Sequence, residues 1–592
     1  MNDSAPPSSR YAGALIGALI AAGVRDVVVC PGSRSQALAL AAAEAERQGL
    51  VRLHVRLDER SAGFFALGVA RETGVPAPVV VTSGSAVANL LPAALEAHEA
   101  RVPMLLLTAD RPASLRGTRS NQTTRQAGLF DGLARLALDI DVDEAMAVSQ
   151  GYPSVHDPVA VAARAVELAR GTRGAGPAGP VQVNLQFREP LSGGGPAVVV
   201  PRAGADERSA RPGGAEHQAS GHEAYLHEAY LHEDDALTVV IAGEGAGPEA
   251  EAFAREAGLP LLAEVVSGAR FGREAIAAYA TLLDDPAVGG LVERAVVFGH
   301  PTLTRQIPAL LRRDDVDAIV VDPYAGEGVD HYDPSGTARV VRSASVAASY
   351  EPRSMRRWLG AWVVADRELR EGRSTVHAPD LEAARENGYK ERNAYARAEV
   401  AALREPVGRE LLVESVWRAT WPHDRLMLAA SRLVRVLDAL AAPRRVEVRS
   451  NRGLAGIDGT IATALGIAAA SQFGEQPSAG VTRVLIGDLA LLHDAGSLLL
   501  PDTVPGGEVR PRIQLFVGND GGGTIFDTLE AAGTAPAEAF DRVMYTPQRA
   551  DLAALARAYG WEYRRVATRG ELDRLLTEPV PGPQLIEIPL AR

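Results

Sequence analysis

Two polar segments end apolar runs late in the chain. Gly487-Asp488-Leu489 follows the run at 484–486, and Gly518-Asn519-Asp520-Gly521 follows the run at 515–517, so Asp488 and Asn519 lie 31 positions apart. The Asp488 carboxylate, the Asn519 amide oxygen and the Gly521 carbonyl are three hard oxygen donors. That set suits Mg²⁺, which completes its octahedron with phosphate oxygens and water. Glycines 521–523 leave backbone N–H groups open to a diphosphate. Taken alone, the same residues could be two ordinary turns. A third candidate is Glu59, in LDERSAGFF at 57–65, where a carboxylate falls between a strand and an apolar helix. A carboxylate there can simply meet the helix dipole. Held among apolar side chains, it can instead exchange a proton with a ligand.

These residues need strands to bring them to one edge. Short apolar runs at 27–30, 79–82 and 104–108, an alternating apolar and polar run at 51–57 and a last strand at 180–185 alternate with helical stretches at 36–48, 61–73 and 86–100. That spacing predicts βαβ units and a parallel sheet covered on both faces. A second α/β unit starts at 237–242 with TVVIAGEGAG and continues with strands at 295–298 and 318–322. Its Gly243, Gly245 and Gly247 form G-x-G-x-G. The dinucleotide fingerprint is incomplete, and no acidic residue ends a clear second strand, which disfavours a nicotinamide or flavin oxidoreductase. A charged, helical stretch at 353–405 reads as a connector. Strands at 426–429, 446–448, 482–486, 513–517 and 584–588 make a third unit. The fold class is therefore α/β, with three Rossmann-like domains and mainly parallel sheets.

The composition agrees. The chain has 592 residues, 46% of them apolar and 23% charged, enough for several cores. No apolar run reaches 18 residues, and no signal sequence is expected at 1–10, so no membrane partner is expected. A net charge of −13 without a basic stretch excludes a nucleic-acid binder. The single cysteine, Cys30, excludes an internal disulfide framework and fits a reducing, cytoplasmic setting. Lys390 is the only lysine, so arginine supplies 60 of the 61 basic residues. Coding bias accounts for most of that excess. Some arginines could nevertheless clamp planar carboxylates bidentately, which lysine does not do. HEAYLHEAYLHE at 222–233 spaces its histidines by five, which does not stack them on one helical face. It reads as repeat expansion in a surface linker.

A carboxylate such as Glu59 in the first unit, joined to GD-x(~30)-N-x-G in the third, resembles the thiamine-diphosphate (ThDP) enzyme superfamily. Further motifs are similar to one family in it, the 2-succinyl-5-enolpyruvyl-6-hydroxy-3-cyclohexene-1-carboxylate (SEPHCHC) synthases of menaquinone biosynthesis. They are CPGSRSQ at 30–36, TSGSAVANLLPA at 82–93, ADRP at 109–112, SNQTTRQ at 120–126, SRLVR at 431–435 and NRGLAGIDGT at 451–460, with the stretch 522–526. Leu489 replaces the usual third glycine of the GDG form, which narrows the subfamily.

The resemblance implies a pyrimidine-binding domain at 1–192, a linker at 193–236, a middle domain at 237–375 and a diphosphate-binding domain at 376–592. It implies a transferase of the transketolase/carboligase type that decarboxylates 2-oxoglutarate and adds the succinyl unit to isochorismate. The alternative is a ThDP-dependent 2-oxo acid decarboxylase or acetolactate-type carboligase, which needs fewer anion clamps. By resemblance, Glu59 is catalytic and contacts N1′ of the aminopyrimidine. ThDP is bound by Glu59, Gly84, Ile457, Asp488, Asn519, Gly521, Gly522, Ile525 and Phe526. Mg²⁺ or Mn²⁺ is held by Asp488, Asn519 and Gly521. Ser33, Arg34, Arg111, Asn121 and Gln122 face isochorismate, and Ser431 and Arg435 hold the distal carboxylate of 2-oxoglutarate. Arg452 and Arg305 are further substrate-binding positions. Thr304 stands where the family often has a lysine, which weakens the match at Arg305. The family builds its sites between subunits, implying at least a homodimer and, by extension, a homotetramer.

Overall fold

The computed structural model describes all residues except 1–4, 149–154, 173–175, 194–196, 202–228, 327, 354, 387, 475 and 502–509. They fall into two compact units, one N-terminal to Leu226 and one from His227 onward. The first unit carries one six-stranded sheet. In chain order its strands are Asp26–Val29, Arg52–Val55, Pro78–Val81, Met104–Asp110, Leu136–Asp141 and Pro180–Gln186. In space they run second, first, third, fourth, sixth, fifth, and every pair is parallel. Asp26–Val29, Pro78–Val81 and Met104–Asp110 are buried throughout, as a sheet with helices on both faces requires.

Among the described residues, the second unit carries two further large sheets beside a two-stranded one. The C-terminal one is built from Arg425–Leu428, Val448–Ser450, Thr482–Gly487, Ile513–Asn519, Glu562–Arg565 and Gln584–Pro589. It repeats the strand order of the first unit, again all parallel. The middle sheet, Thr238–Ala242, Leu261–Ala263, Arg294–Phe298, Asp317–Val321 and Arg339–Val341, runs second, first, third, fourth, fifth. In all three the chain goes out one way from the first strand and returns to continue on its other side. The loops after the first and third strands therefore part, leaving the crevice in which open α/β sheets take ligands.

In the middle sheet that crevice is filled by the protein. A Cβ on Gly243 would lie 2.1 Å from the Pro301 nitrogen, and Glu244 and His300 form a backbone bridge across the opening. The glycine-rich turn thus serves close packing of two strand-end loops.

Several expectations need correction. The helix expected at 86–100 is two, Ser85–Ala88 and Leu91–Glu99, the second with Pro92 in its first turn, where a missing N–H is harmless. The polar-looking N-terminus contributes the helix Pro7–Ala21, mostly buried. The strand expected at 446–448 is Val448–Ser450. The edge strands Leu136–Asp141 and Glu562–Arg565 were not read from the sequence: the first is short and mostly half-exposed, with Ile140 its one buried residue, and the second is charged at three of its four positions. Of the repeat at 222–233, His222 and His227 lie outside the described residues. Its end is not surface linker: Tyr230–His232 pairs in parallel with Ala344–Val346, and His232 is fully buried. The presumed connector includes the helix Arg356–Glu371, which sinks Trp358 and Trp362 into the middle core. Among the described residues, no helix is long and apolar enough to cross a membrane.

Candidate functional site

In the first unit the crevice loops carry Ser33 and Arg34 after the first strand and Ser83 and Gly84 after the third. The loops touch: a Cβ on Gly32 would lie 2.2 Å from the Thr82 Cβ, and the Arg34 backbone N–H donates to Thr82 Oγ1 (3.3 Å). Arg111, from the end of the fourth strand, is 9% exposed and donates through Nη1 to Ser83 Oγ (2.6 Å) and the Gln122 carbonyl (2.7 Å). Gln122 Nε2 donates back to the Ser83 carbonyl (3.0 Å). Asn121 stands exposed on the same loop. Burial, and then the charge of Arg111, push the Arg34 guanidinium below its ordinary value. Two guanidinium groups held this close favour an anion beside them.

A buried polar network sets these loops. Gln126, fully buried, accepts from the Gly84 N–H (3.1 Å) and donates to the Ala109 carbonyl (3.0 Å) and Asn184 Oδ1 (2.9 Å). Asn184 donates to Asp110 (3.0 Å) and Asp139 (2.8 Å), and Arg116 pairs with both carboxylates. Ser83 and Asn184 were missed as functional positions. Ser83, Gln126 and Asp110 lay inside quoted motifs, which was the available signal, and Asn184 did not.

Glu59 opens the helix Glu59–Thr73, where Asp58 caps the N-terminus by accepting from the Arg60 N–H (2.9 Å) and Gly74, at φ +70°, closes the other end. Its carboxylate is half-buried and accepts from Asn89 Nδ2 (3.2 Å), a residue of the 82–93 motif. Beneath it, burial and then the Glu59 charge push the Cys30 thiol upward.

In the second unit the equivalent crevice holds Ser431 and Asp488. A Cβ on Gly487 would stand 3.8 Å from the Ser431 Cβ. Ser431 caps the helix Arg432–Leu440 by accepting from the Leu433 N–H (3.2 Å), which leaves its hydroxyl proton to donate. Asp488 is 5% exposed and accepts from the backbone N–H groups of Leu489 (2.9 Å) and Gly522. Burial, with Asp520 as the second cause, pushes its carboxyl up to about 6. Such a group gains from a cation. Asn519 Nδ2 donates to Glu587 Oε1 (2.7 Å), and Glu587 is itself held by the Tyr563 hydroxyl. That bond orients Asn519 Oδ1, which accepts from the Gly521 N–H (3.2 Å). The Gly521 carbonyl accepts from Arg592 Nη2 (2.8 Å), so the electron-rich oxygen already draws a positive charge. Glu587, Tyr563 and Arg592 had no local signal in the sequence.

Gly522 lies at φ +148°, and a Cβ there would come 2.5 Å from the Tyr545 carbonyl oxygen. The bare backbone thus forms a cradle with its N–H on Asp488. Ile525 and Phe526 follow on the turn Thr524–Thr528, both half-buried. The structure therefore gathers Ser431, Asp488, Asn519, Gly521, Gly522, Ile525 and Phe526 on neighbouring loops. Ile457 is half-buried just ahead of the helix Thr460–Phe473. Arg305 is exposed at the start of Gln306–Leu311. Arg435 is exposed, yet desolvation still lowers its guanidinium. Arg452 is 3% exposed and bound to Thr302. Among the described residues no group of three or more His, Cys, Asp or Glu forms a metal cluster. The donor set gathered at Asp488 combines one carboxylate with an amide oxygen and a carbonyl.

The chain is similar to known proteins along nearly its whole length. The family model described as thiamine pyrophosphate enzyme, N-terminal TPP binding domain, matches residues 9–131. A 2-succinyl-5-enolpyruvyl-6-hydroxy-3-cyclohexene-1-carboxylate synthase of Leifsonia xyli subsp. xyli is 54% identical over 99% of this chain and 97% of its own length. The protein of the same name from Clavibacter michiganensis subsp. michiganensis is 51% identical, over 99% and 97%. That from Kineococcus radiotolerans is 42% identical, over 99% and 96%. With that identity sustained along nearly the whole chain, this protein belongs to the SEPHCHC synthase family of ThDP-dependent enzymes.

Proposed function

We propose that the protein decarboxylates 2-oxoglutarate and adds the succinyl unit to the ring alkene of isochorismate, releasing CO₂ and SEPHCHC. The observation that carries this reading is the cluster of Asp488, Asn519 and the Gly521–Gly522 backbone. A buried carboxylate, an oriented amide oxygen and an unobstructed glycine turn fit a divalent cation and a diphosphate. Mg²⁺ or Mn²⁺ is assigned to Asp488, Asn519 and the Gly521 carbonyl. ThDP, when bound, supplies a carbon nucleophile and an electron sink for the carboxylate that leaves.

The chain's own residues do the rest. Glu59 holds and moves a proton at its carboxylate, with Asn89 fixing one oxygen. Ser33, Arg34, Arg111, Asn121 and Gln122 take the two carboxylates of isochorismate. The Arg34–Arg111 pair is preorganised for that by the Gln126 network. Ser431, Arg435 and Arg452 take 2-oxoglutarate, with Arg305 as a further cation, and Ile457, Ile525 and Phe526 make the apolar wall. Fixed guanidinium forks hold reacting carbons in attack geometry. Beside Glu59, Leu57 is 74% and Val55 46% exposed. This apolar rim supports at least a homodimer, and we assign a homotetramer working in the cytoplasm.

The test is mass spectrometry of products from purified protein with ThDP, Mg²⁺, 2-oxoglutarate and isochorismate, against a control lacking ThDP. A ThDP-dependent adduct equal to both substrates minus CO₂ is expected. CO₂ loss without an adduct would replace the acceptor. Absence of ThDP binding would overturn the reading.

A further inference from the structure

The residues assigned to 2-oxoglutarate sit on the loops and helix that follow strands of the C-terminal sheet, yet groups from the loops and helix around the middle sheet hold the elements that carry them. The helix Arg432–Leu440 presents Ser431 and Arg435 near its start and is clasped near its end through Asp438, which is 3% exposed. Asp438 Oδ1 accepts from the Val265 N–H (2.6 Å) and Oδ2 from the Tyr279 hydroxyl (2.6 Å). Arg270, also 3% exposed, donates to the carbonyls of Asp438 (2.6 Å) and Ala441 (2.9 Å). Val265, Val266 and Leu303 complete the apolar core that contains Leu433, Val434 and Leu437.

A second clasp acts on Arg452. Its Nε donates to Thr302 Oγ1 (2.9 Å) and its Nη2 to the Thr302 carbonyl (3.1 Å), which fixes the plane of the guanidinium. Thr302 is fixed in turn, because its N–H and that of Leu303 donate to Glu264 Oε1 (2.7 and 2.6 Å).

We infer that Tyr279 and Thr302 are positioning residues for the donor clamp: Tyr279, through Asp438, sets the helix bearing Ser431 and Arg435, and Thr302 orients Arg452. This rests on the assignment of 2-oxoglutarate to those three residues. A planar fork recognises a carboxylate bidentately only while its plane is held, and a long side chain released from its anchor recovers rotamers that binding must remove again. The middle sheet, whose own crevice is closed, thereby acts on the chemistry of its neighbour.

The test uses the full chain with ThDP and Mg²⁺ and compares wild type with Thr302→Val, Thr302→Ser and Tyr279→Phe, all close in shape to the native residues. In Thr302→Val and Tyr279→Phe the KM for 2-oxoglutarate should rise about tenfold, and inhibition by glutarate should weaken in parallel. The KM for isochorismate and the ThDP affinity should stay within about twofold, and Thr302→Ser should restore the wild-type values. Wild-type KM and glutarate inhibition in Thr302→Val would overturn the proposal. So would a loss that lowers every parameter alike and is not restored by serine. Consumption of 2-oxoglutarate by the wild type is the control, and its absence would overturn the functional assignment and this inference with it.

Discussion

Glutamine at position 264 should flatten the pH dependence of stability in the unit from His227 onward. Burial, and then the neighbouring Asp438 carboxylate, push the fully buried Glu264 up to about 8. Two backbone N–H groups and Arg452 oppose that shift without cancelling it. Among the described residues only Oε1 is hydrogen-bonded and Oε2 meets no partner, as suits a neutral acid. An unfolded glutamate releases its proton near pH ~4.3. Between that value and about 8 the folded state therefore holds a proton that the unfolded state has lost, so stability falls as pH rises and levels off above the folded value. At pH 7 the difference of ~2.7 units corresponds to a ceiling of ~4 kcal/mol. Asp438 titrates with the same site and takes part of that sum, leaving ~1–3 kcal/mol for Glu264. Glutamine offers the same carbonyl to Thr302 and Leu303 and carries no charge. Wild type and Glu264→Gln should be equally stable near pH 4.5, with the variant ahead by ~1–3 kcal/mol near pH 8. Denaturant unfolding followed by tryptophan fluorescence isolates the effect, because all five tryptophans lie in this unit, Trp358 and Trp362 in the middle core and Trp417 in the C-terminal one. A difference that stays constant from pH 5 to 8.5, or a less stable variant at pH 8, would refute the reasoning.

Three further expectations follow from the loops. Glu59→Gln keeps a hydrogen bond to Asn89 but cannot carry the proton, so CO₂ release should fall by at least ~10²–10⁴-fold while the circular dichroism spectrum is unchanged. Asp488→Asn removes the charge assigned to the cation, and calorimetric titration with ThDP and Mg²⁺ should show at least ~10-fold weaker binding, with no loss of stability in the cofactor-free protein. Gly522→Ala places a Cβ 2.5 Å from the Tyr545 oxygen at a φ of +148°. It should cost ~1–3 kcal/mol in thermal unfolding and weaken ThDP binding, whereas alanine at Gly533, where nothing lies within 4 Å, should do neither.

Much of the architecture was readable from local pattern. Short continuous apolar runs such as 79–81 and 515–517, bounded by polar or turn residues, read as strands buried on both faces, and Asp488 and Asn519 were visible as the polar residues that end such runs. A charged edge strand such as Glu562–Arg565 carries no such signal. The motif at 82–93 indicated a ligand loop, but not that Asn89 reaches Glu59. Arg452 was legible as a cation in a motif, and its burial against Thr302, 150 positions away, was not. Likewise His232, read as part of a surface repeat, is buried because Tyr230–His232 finds its partner strand at Ala344–Val346, more than a hundred residues on. Residue order along the chain determines which side chain ends each strand, because burial and turn chemistry act over a few neighbours. Which strand ends meet depends on pairing between distant segments. Only the strand order, with its reversal beside the first strand of each sheet, brings Ser33 to Ser83 and Ser431 to Asp488, and only packing of the middle sheet on the C-terminal one puts Glu264 beside Asp438.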